Sequence, residues 1–324
     1  MDTGTKTPDR PADADRRTGE GHRLATTPRE SAALRRNGLI DRAFELTTRS
    51  SAMVVLLLLG TIAGSLVVAG WPALSELGLS FFTGDRWAAN VGQFGAIPAI
   101  YGTLVTATIA IIIAVPISLG IAIFLTELCP ARLRRPIGTM IELLAGVPSI
   151  IYGMWGVAVL APFLQTWFPD VFRAGTGLFT AGLILAIMII PFITAVTRDV
   201  MNTVPSIMRE SAYGLGCTTW EVVRYVIFPS VRAGMLGGVI LGLGRALGET
   251  MAVTFVIGNN LFFSATIAGQ GTSIAALIAN QFPEADGLQR SALLLLGLVL
   301  FVITFAVLAL ARLMLNRMNA RAPS

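Results

Sequence analysis

The chain has 324 residues, of which 54% are apolar and only 13% charged, with a formal net charge of +5. That composition excludes an ordinary soluble enzyme and points to a polytopic membrane protein. The basic excess is Arg scattered through tails and short loops, without aromatic interleaving, so it argues for membrane topology and against a nucleic-acid partner.

In chain order, residues 1–38 read as a disordered polar tail, rich in Asp, Arg, Thr and Pro and poor in large apolar groups. Lys6 and His22 are the only lysine and histidine, so there is no phosphate-cradling Gly-rich loop ending in Lys and no metal-ligand cluster. Over 39–50, Leu39, Ile40, Ala43, Phe44 and Leu46 recur near helical spacing among charges, which predicts an amphipathic helix on the cytoplasmic membrane surface.

Six apolar runs follow, near 52–71, 98–126, 137–161, 178–197, 232–257 and 291–313. Each is long enough to cross about 30 Å of hydrocarbon as a helix. The expected architecture is an all-α membrane domain over 51–315, with a short tail at 316–324. Ten Lys and Arg in residues 1–50, three in 129–136, four in 198–232 and three from Arg312 to the end make twenty, against Arg86, Arg173 and Arg290 opposite. The asymmetry puts both termini in the cytoplasm. Cys129 and Cys217 then lie on the reducing side, where a disulfide is not expected.

The fifth run contains Arg245 and Glu249, four residues apart. An ionisable side chain at a helix centre costs about 2.5 to 3.5 kcal/mol on insertion scales, so the pair reads as a functional site facing the interior or an aqueous path. On a continuous helix both would share a face, and Glu249 would hold the Arg245 fork between turnovers. A purely structural ion pair is the competing reading. Arginine's planar fork suits a phosphate-like oxyanion, which it can bind bidentately without ever losing its charge. Ser149 and Tyr152 follow Pro148 in the third run and are further candidates for the path, while Glu127 and Glu142 are expected to pair with Arg132, Arg134 and Arg135.

The loop at 198–232 is too long for a turn and predicts two short helices, over 205–215 and 219–226, the second capped by Thr218 or Thr219. Glu210, Ala212, Gly216 and Pro229 in this loop resemble the EAA motif of ABC-importer permeases, from which Ser211, Val226 and Phe228 depart mildly. The segments Glu142–Gly153, Phe94–Pro98, Gly102–Leu104 and Leu243–Val253 resemble phosphate-specific ABC permeases, nearer their PstC-type than their PstA-type subunits. That resemblance covers about residues 50–315.

The resemblance implies the six-helix, MetI-like fold of type I ABC importers and a multi-pass permease of the bacterial inner membrane that translocates inorganic phosphate. It makes Glu210, Ser211, Ala212, Gly216 and Pro229 the candidate contacts to a cytoplasmic ATPase. It further implies a PstA-type second permease, a PstB-type ATPase dimer binding ATP and Mg, a PstS-type phosphate-binding protein outside, and surrounding lipid. No cofactor or catalytic residue is expected in this chain itself. A permease for sulfate or molybdate is the competing reading; an ion-coupled secondary transporter fits less well, because the spans lack proton-relay carboxylates.

Overall fold

The computed structural model describes the backbone of residues 28–320 and the side chains of residues 41–317. The chain divides into one unit ending at Thr61 and a second beginning at Ile62. Helix α1 (Pro28–Leu77) starts inside the stretch expected to be a disordered tail and takes in the separate surface helix expected over 39–50. The physical reason is local, since no Gly or Pro interrupts the chain between Gly38 and Gly60. The rest of the expected tail, residues 1–27, lies outside the described residues, as do the last four positions. Within the first unit, an exposed Glu45–Arg49 ion pair of 2.6 Å spans one turn.

Among the described residues six helices are long and apolar enough to cross a membrane. The later five are α2 (Ile97–Leu128), α4 (Ser149–Trp167), α5 (Leu178–Asn202), α7 (Thr219–Leu247) and α10 (Gly287–Ala320). Between them lie the shorter helices α3 (Ala131–Ala145), α6 (Ser206–Gly214), α8 (Met251–Val256) and α9 (Ile274–Gln281). The third span therefore starts twelve residues later than the expected 137, at Ser149. Residues 131–145 form an amphipathic helix of their own, and Pro148 opens the next one. Hydropathy alone had merged the two.

Helix α5 is the most buried of the spans and carries the main core. Ile184, Leu185, Ile189 and Ile193 are fully enclosed there, packed with Ala107 and Ala114 of α2 and Val253 and Val256 of α8. In lipid there is no hydrophobic drive between helices, so close contact depends on small residues. Gly234, Gly238 and Gly242 form such a stripe along α7. A Cβ at these three positions would lie 2.4 Å from Val200, 3.1 Å from Val196 and 2.8 Å from Ile193 on α5. Ser118 adds a polar tie by donating to the Ile190 carbonyl at 3.2 Å.

A second core closes the opposite end of the bundle from α6. There a two-stranded hairpin, β1 (Trp87–Ala88) and β2 (Gln93–Phe94), pairs Trp87 with Phe94. Trp87 is enclosed, and its indole N–H donates to Gln281 Oε1 of α9 at 2.7 Å. Helix α9 is capped at its start by Ser273, whose Oγ accepts from the Ala276 N–H. A Cβ at Gly102 would collide with the Thr272 carbonyl, so α2 and the chain leading into α9 touch backbone to backbone.

Gly242→Leu is expected to force α5 and α7 apart and to lower the thermal unfolding midpoint of the purified protein by several degrees. Gly120→Ala, where nothing lies within 4 Å, should leave it unchanged or raise stability by up to about 1 kcal/mol, the usual helix gain of Ala over Gly.

Candidate functional site

The glycine stripe that seats α7 on α5 decides where Arg245 emerges. Three residues beyond Gly242, it projects from the edge of that contact, and its guanidinium carbon sits 4.3 Å from the centroid of the Phe192 ring. Phe192 was missed in the sequence reading; its only signal there is its place directly after Pro191 in the fourth span. On the neighbouring face Gly244 meets Leu308 of α10 at 3.6 Å from its would-be Cβ. Between α7 and α10 runs an open groove of about 760 Å³, lined by Phe192, Gly237, Leu241, Arg245, Leu308 and Arg312 among others.

Glu249 does not share a helical face with Arg245. Helix α7 ends at Leu247, Gly248 serves as its C-cap, and Glu249 and Thr250 are non-helical before α8 begins. A spacing of four residues brings side chains together only where the helix continues. Glu249 Oε1 instead accepts from the Ala252 N–H at 3.3 Å, in the first turn of α8. Among the described residues no carboxylate lies within 4.0 Å of Arg245. The expected Arg245–Glu249 clasp is therefore replaced by a cation over an aromatic face beside a break between two helices. Non-helical backbone at membrane depth is tolerated where it is buried in protein or lines a watery cavity.

Tyr152 is brought to the same place. A Cβ at its neighbour Gly153 would lie 3.0 Å from Ala252 Cα, so α4 packs directly on the start of α8. The Tyr152 hydroxyl donates to the Leu144 carbonyl at 2.8 Å, spanning the turn between α3 and α4, and lies within electrostatic reach of Arg245. Ser149 opens α4, three residues before Tyr152. Three of the four candidate path residues thus converge on the α7–α8 break.

The second candidate site is the knob formed by α6 and the start of α7. Thr218 supplies the predicted cap as a reciprocal box: its N–H donates to Glu221 Oε2 at 2.7 Å, and its Oγ1 accepts from the Glu221 N–H. Gly216 turns the chain with φ +87°, a conformation that L side chains rarely adopt. Glu210, Ser211 and Pro229 are exposed. Ala212 is not, being enclosed with Ala122, Met201, Val222 and Ile227 in the knob's own core. As a contact residue it is corrected to a packing residue, because its face of α6 is the one that seats the knob. Exposed instead are Ile207, Tyr213, Leu215 and Trp220, with Leu215 at 86% exposure. Apolar residues in an otherwise polar loop were the overlooked signal.

Ion pairs tie this end together, though not the expected ones. Glu127, with its side chain 5% exposed at the end of α2, pairs with Arg209 of α6 at 3.3 Å, and Arg209 also donates to the Met201 carbonyl. Glu142 pairs with Arg198 at 2.7 Å. Arg134 donates to the Thr126 carbonyl. Arg132 and Arg135 are exposed on α3, and neither forms an ion pair with Glu127 or Glu142.

Residues 118–320 match the sequence profile of the binding-protein-dependent transport system inner membrane component family. The chain belongs to that family. A phosphate transport system permease protein PstC of Mesorhizobium japonicum is 56% identical, covering 90% of this chain and 94% of the relative. A protein of the same name from Pasteurella multocida is 53% identical, covering 87% and 94%. One named PstC 1 from Mycobacterium tuberculosis is 39% identical, covering 84% and 91%. Among solved structures, an inward-facing MetNI methionine ABC transporter matches with TM-score 0.56 at 16% identity, over 69% of this chain and 95% of that one. A bacterial alginate ABC transporter matches with TM-score 0.57 at 17% identity, over 87% and 96%. These two share the fold, the MetI-like permease architecture. The transport component is thus a multi-pass inner-membrane subunit of a larger transport system.

Glu127→Gln is expected to cost about 3 kcal/mol, the low end for stripping one partner from a buried pair. The double variant Glu127→Leu, Arg209→Met should recover most of that loss. Unfolding midpoints of the four members of the cycle check it, and strict additivity would show that the two residues are not coupled.

Proposed function

We propose that this chain is the permease subunit of an ABC importer for inorganic phosphate. The carrying observation is Arg245, held over Phe192 at a helix break with no carboxylate within 4.0 Å among the described residues. It stands in a chain 56% identical to a phosphate permease. A permanent cation at such a place is suited to a phosphate oxyanion in transit, because its fork can take two oxygens while the apolar surroundings strengthen the attraction.

The Arg asymmetry of the loops supports placing both termini and the α6 knob in the cytoplasm. Arg245 then lies 13 residues along α7 from Arg232, or about 20 Å at 1.5 Å per residue, well inside the hydrocarbon. Tyr152, and Ser149 at the start of α4, flank the route, and Glu249 fixes the start of α8 so that the break keeps its shape.

Transport by this reading needs components beyond the chain. A PstS-type binding protein delivers phosphate to the hairpin face, and a PstA-type permease supplies the other wall of the path. A PstB-type ATPase dimer binds ATP and Mg and grips the knob. Closure of that dimer would pull α6, and the buried Arg209–Glu127 pair would carry the pull into α2. Glu210, Ser211, Gly216 and Pro229 shape the grip, and the exposed Leu215 and Trp220 supply its apolar contact.

In the reconstituted complex, Arg245→Gln is expected to abolish uptake of labelled phosphate while the subunits still co-purify; Glu249→Gln should slow uptake by disturbing α8. Sulfate that competes as well as phosphate for the wild type would overturn the assignment of cargo. Leu215→Asp is expected to weaken co-purification of the ATPase at least tenfold, a loss of about 1.4 kcal/mol. Unchanged recovery of the ATPase would remove Leu215 from the contact.

A further inference from the structure

We propose that Arg312 is a second cargo-contacting residue, taking the oxyanion from Arg245 on its way along the groove between α7 and α10. The inference rests on the reading of Arg245 as part of the path. Both guanidinium-bearing side chains line one cavity of about 760 Å³. Among the described residues neither has a carboxylate within 4.0 Å. Arginine does not shed its proton, so two such groups lining one largely apolar groove suit an anion as its occupant.

The spacing suits a relay. Leu308 faces Gly244, next to Arg245. Arg312 lies four residues further along α10, an offset of about 6 Å at 1.5 Å per residue. In that direction α7 leads back through Gly237 toward the α6 knob. Thr304, Leu308 and Arg312 recur every four residues and so share one face of α10, the face that lines the groove. Opposite them Gly237 contributes no side chain and has nothing within 4 Å of its would-be Cβ, which leaves room there for a small tetrahedral ion between the helices.

A phospholipid headgroup offers the same phosphoryl chemistry, but it fits less well. Arg245 lies about 20 Å from Arg232 along α7, deeper than headgroups sit in a bilayer whose apolar core is about 30 Å thick. An occupant that meets both arginines in turn must be small and mobile. The translocated oxyanion is that occupant.

The test uses the whole importer, with its partner permease, ATPase and binding protein, in liposomes of phosphatidylcholine alone or mixed with phosphatidylglycerol. Initial uptake of labelled phosphate is measured for wild type, Arg312→Gln and Arg312→Lys, each first checked for co-purification of the partner subunits. Cargo contact predicts a maximal uptake rate at least tenfold lower for Arg312→Gln in both lipid mixtures, with Arg312→Lys between it and wild type. A wild-type rate for Arg312→Gln overturns the proposal. So does a wild type that needs phosphatidylglycerol, with a variant that has merely lost that need, since Arg312 then serves a lipid. Should Arg312→Gln not assemble, Arg312→Lys decides alone: a reduced rate supports the contact and a wild-type rate overturns it. If the wild-type complex carries sulfate and not phosphate, the cargo assignment fails on its own. The same comparison made with labelled sulfate then decides the role of Arg312.

Discussion

The close seating of α7 on α5 is the constraint on which the rest of the membrane unit depends. Gly234, Gly238 and Gly242 bring the two helices together against Val200, Val196 and Ile193. Without side chains at those positions α7 sits deep in the bundle, and its next turn delivers Arg245 to the ring of Phe192. A wider separation would leave the guanidinium facing lipid with no aromatic surface, at a cost of several kcal/mol. The small residues thus do more than allow packing. They set the depth and direction of the one charge in the spans that faces the groove wall of α5.

The same helix ends where the site begins. Gly248 stops α7, and α8 restarts after Glu249 and Thr250, held against α4 at Gly153. The break frees backbone groups and turns Glu249 to its own helix start, so among the described residues Arg245 has no carboxylate within 4.0 Å. At the other end of α7, the knob is joined to the bundle by a buried apolar cluster and by the Arg209–Glu127 pair. Glu127 is almost wholly enclosed at this junction, so the pair ties α6 to the end of α2 from within.

Much of this was legible in the amino-acid order. Six spans could be read because the cost of placing polar groups in hydrocarbon acts on each stretch independently of its neighbours. The first knob helix and the Thr218 cap were equally readable, being set by residues three or four positions apart, whereas the second knob helix expected over 219–226 is the start of α7 and not a helix of its own. Helix breaks were not legible, because hydropathy does not register a short turn inside an apolar stretch. Residues 137–161 looked like a single span because the charges of amphipathic α3 sit mostly before Ile137, and its less polar second half is separated from apolar α4 only by the turn at Gly146–Pro148. Arg245 and Glu249 looked paired for the same reason.

What the sequence by itself determined is the membrane class, the number of long apolar helices and the placing of Arg245 within one of them. Tertiary structure alone decided what each charge meets. Phe192 is 53 positions from Arg245 and Arg312 is 67, while Glu127 and Arg209 are 82 apart. Local preference for helix is the same whichever neighbour a helix finds, so no spacing rule reaches across such gaps. Those partners are chosen by which helices touch, through the glycine stripe of α7 for Arg245 and through the apolar cluster under the knob for Glu127 and Arg209.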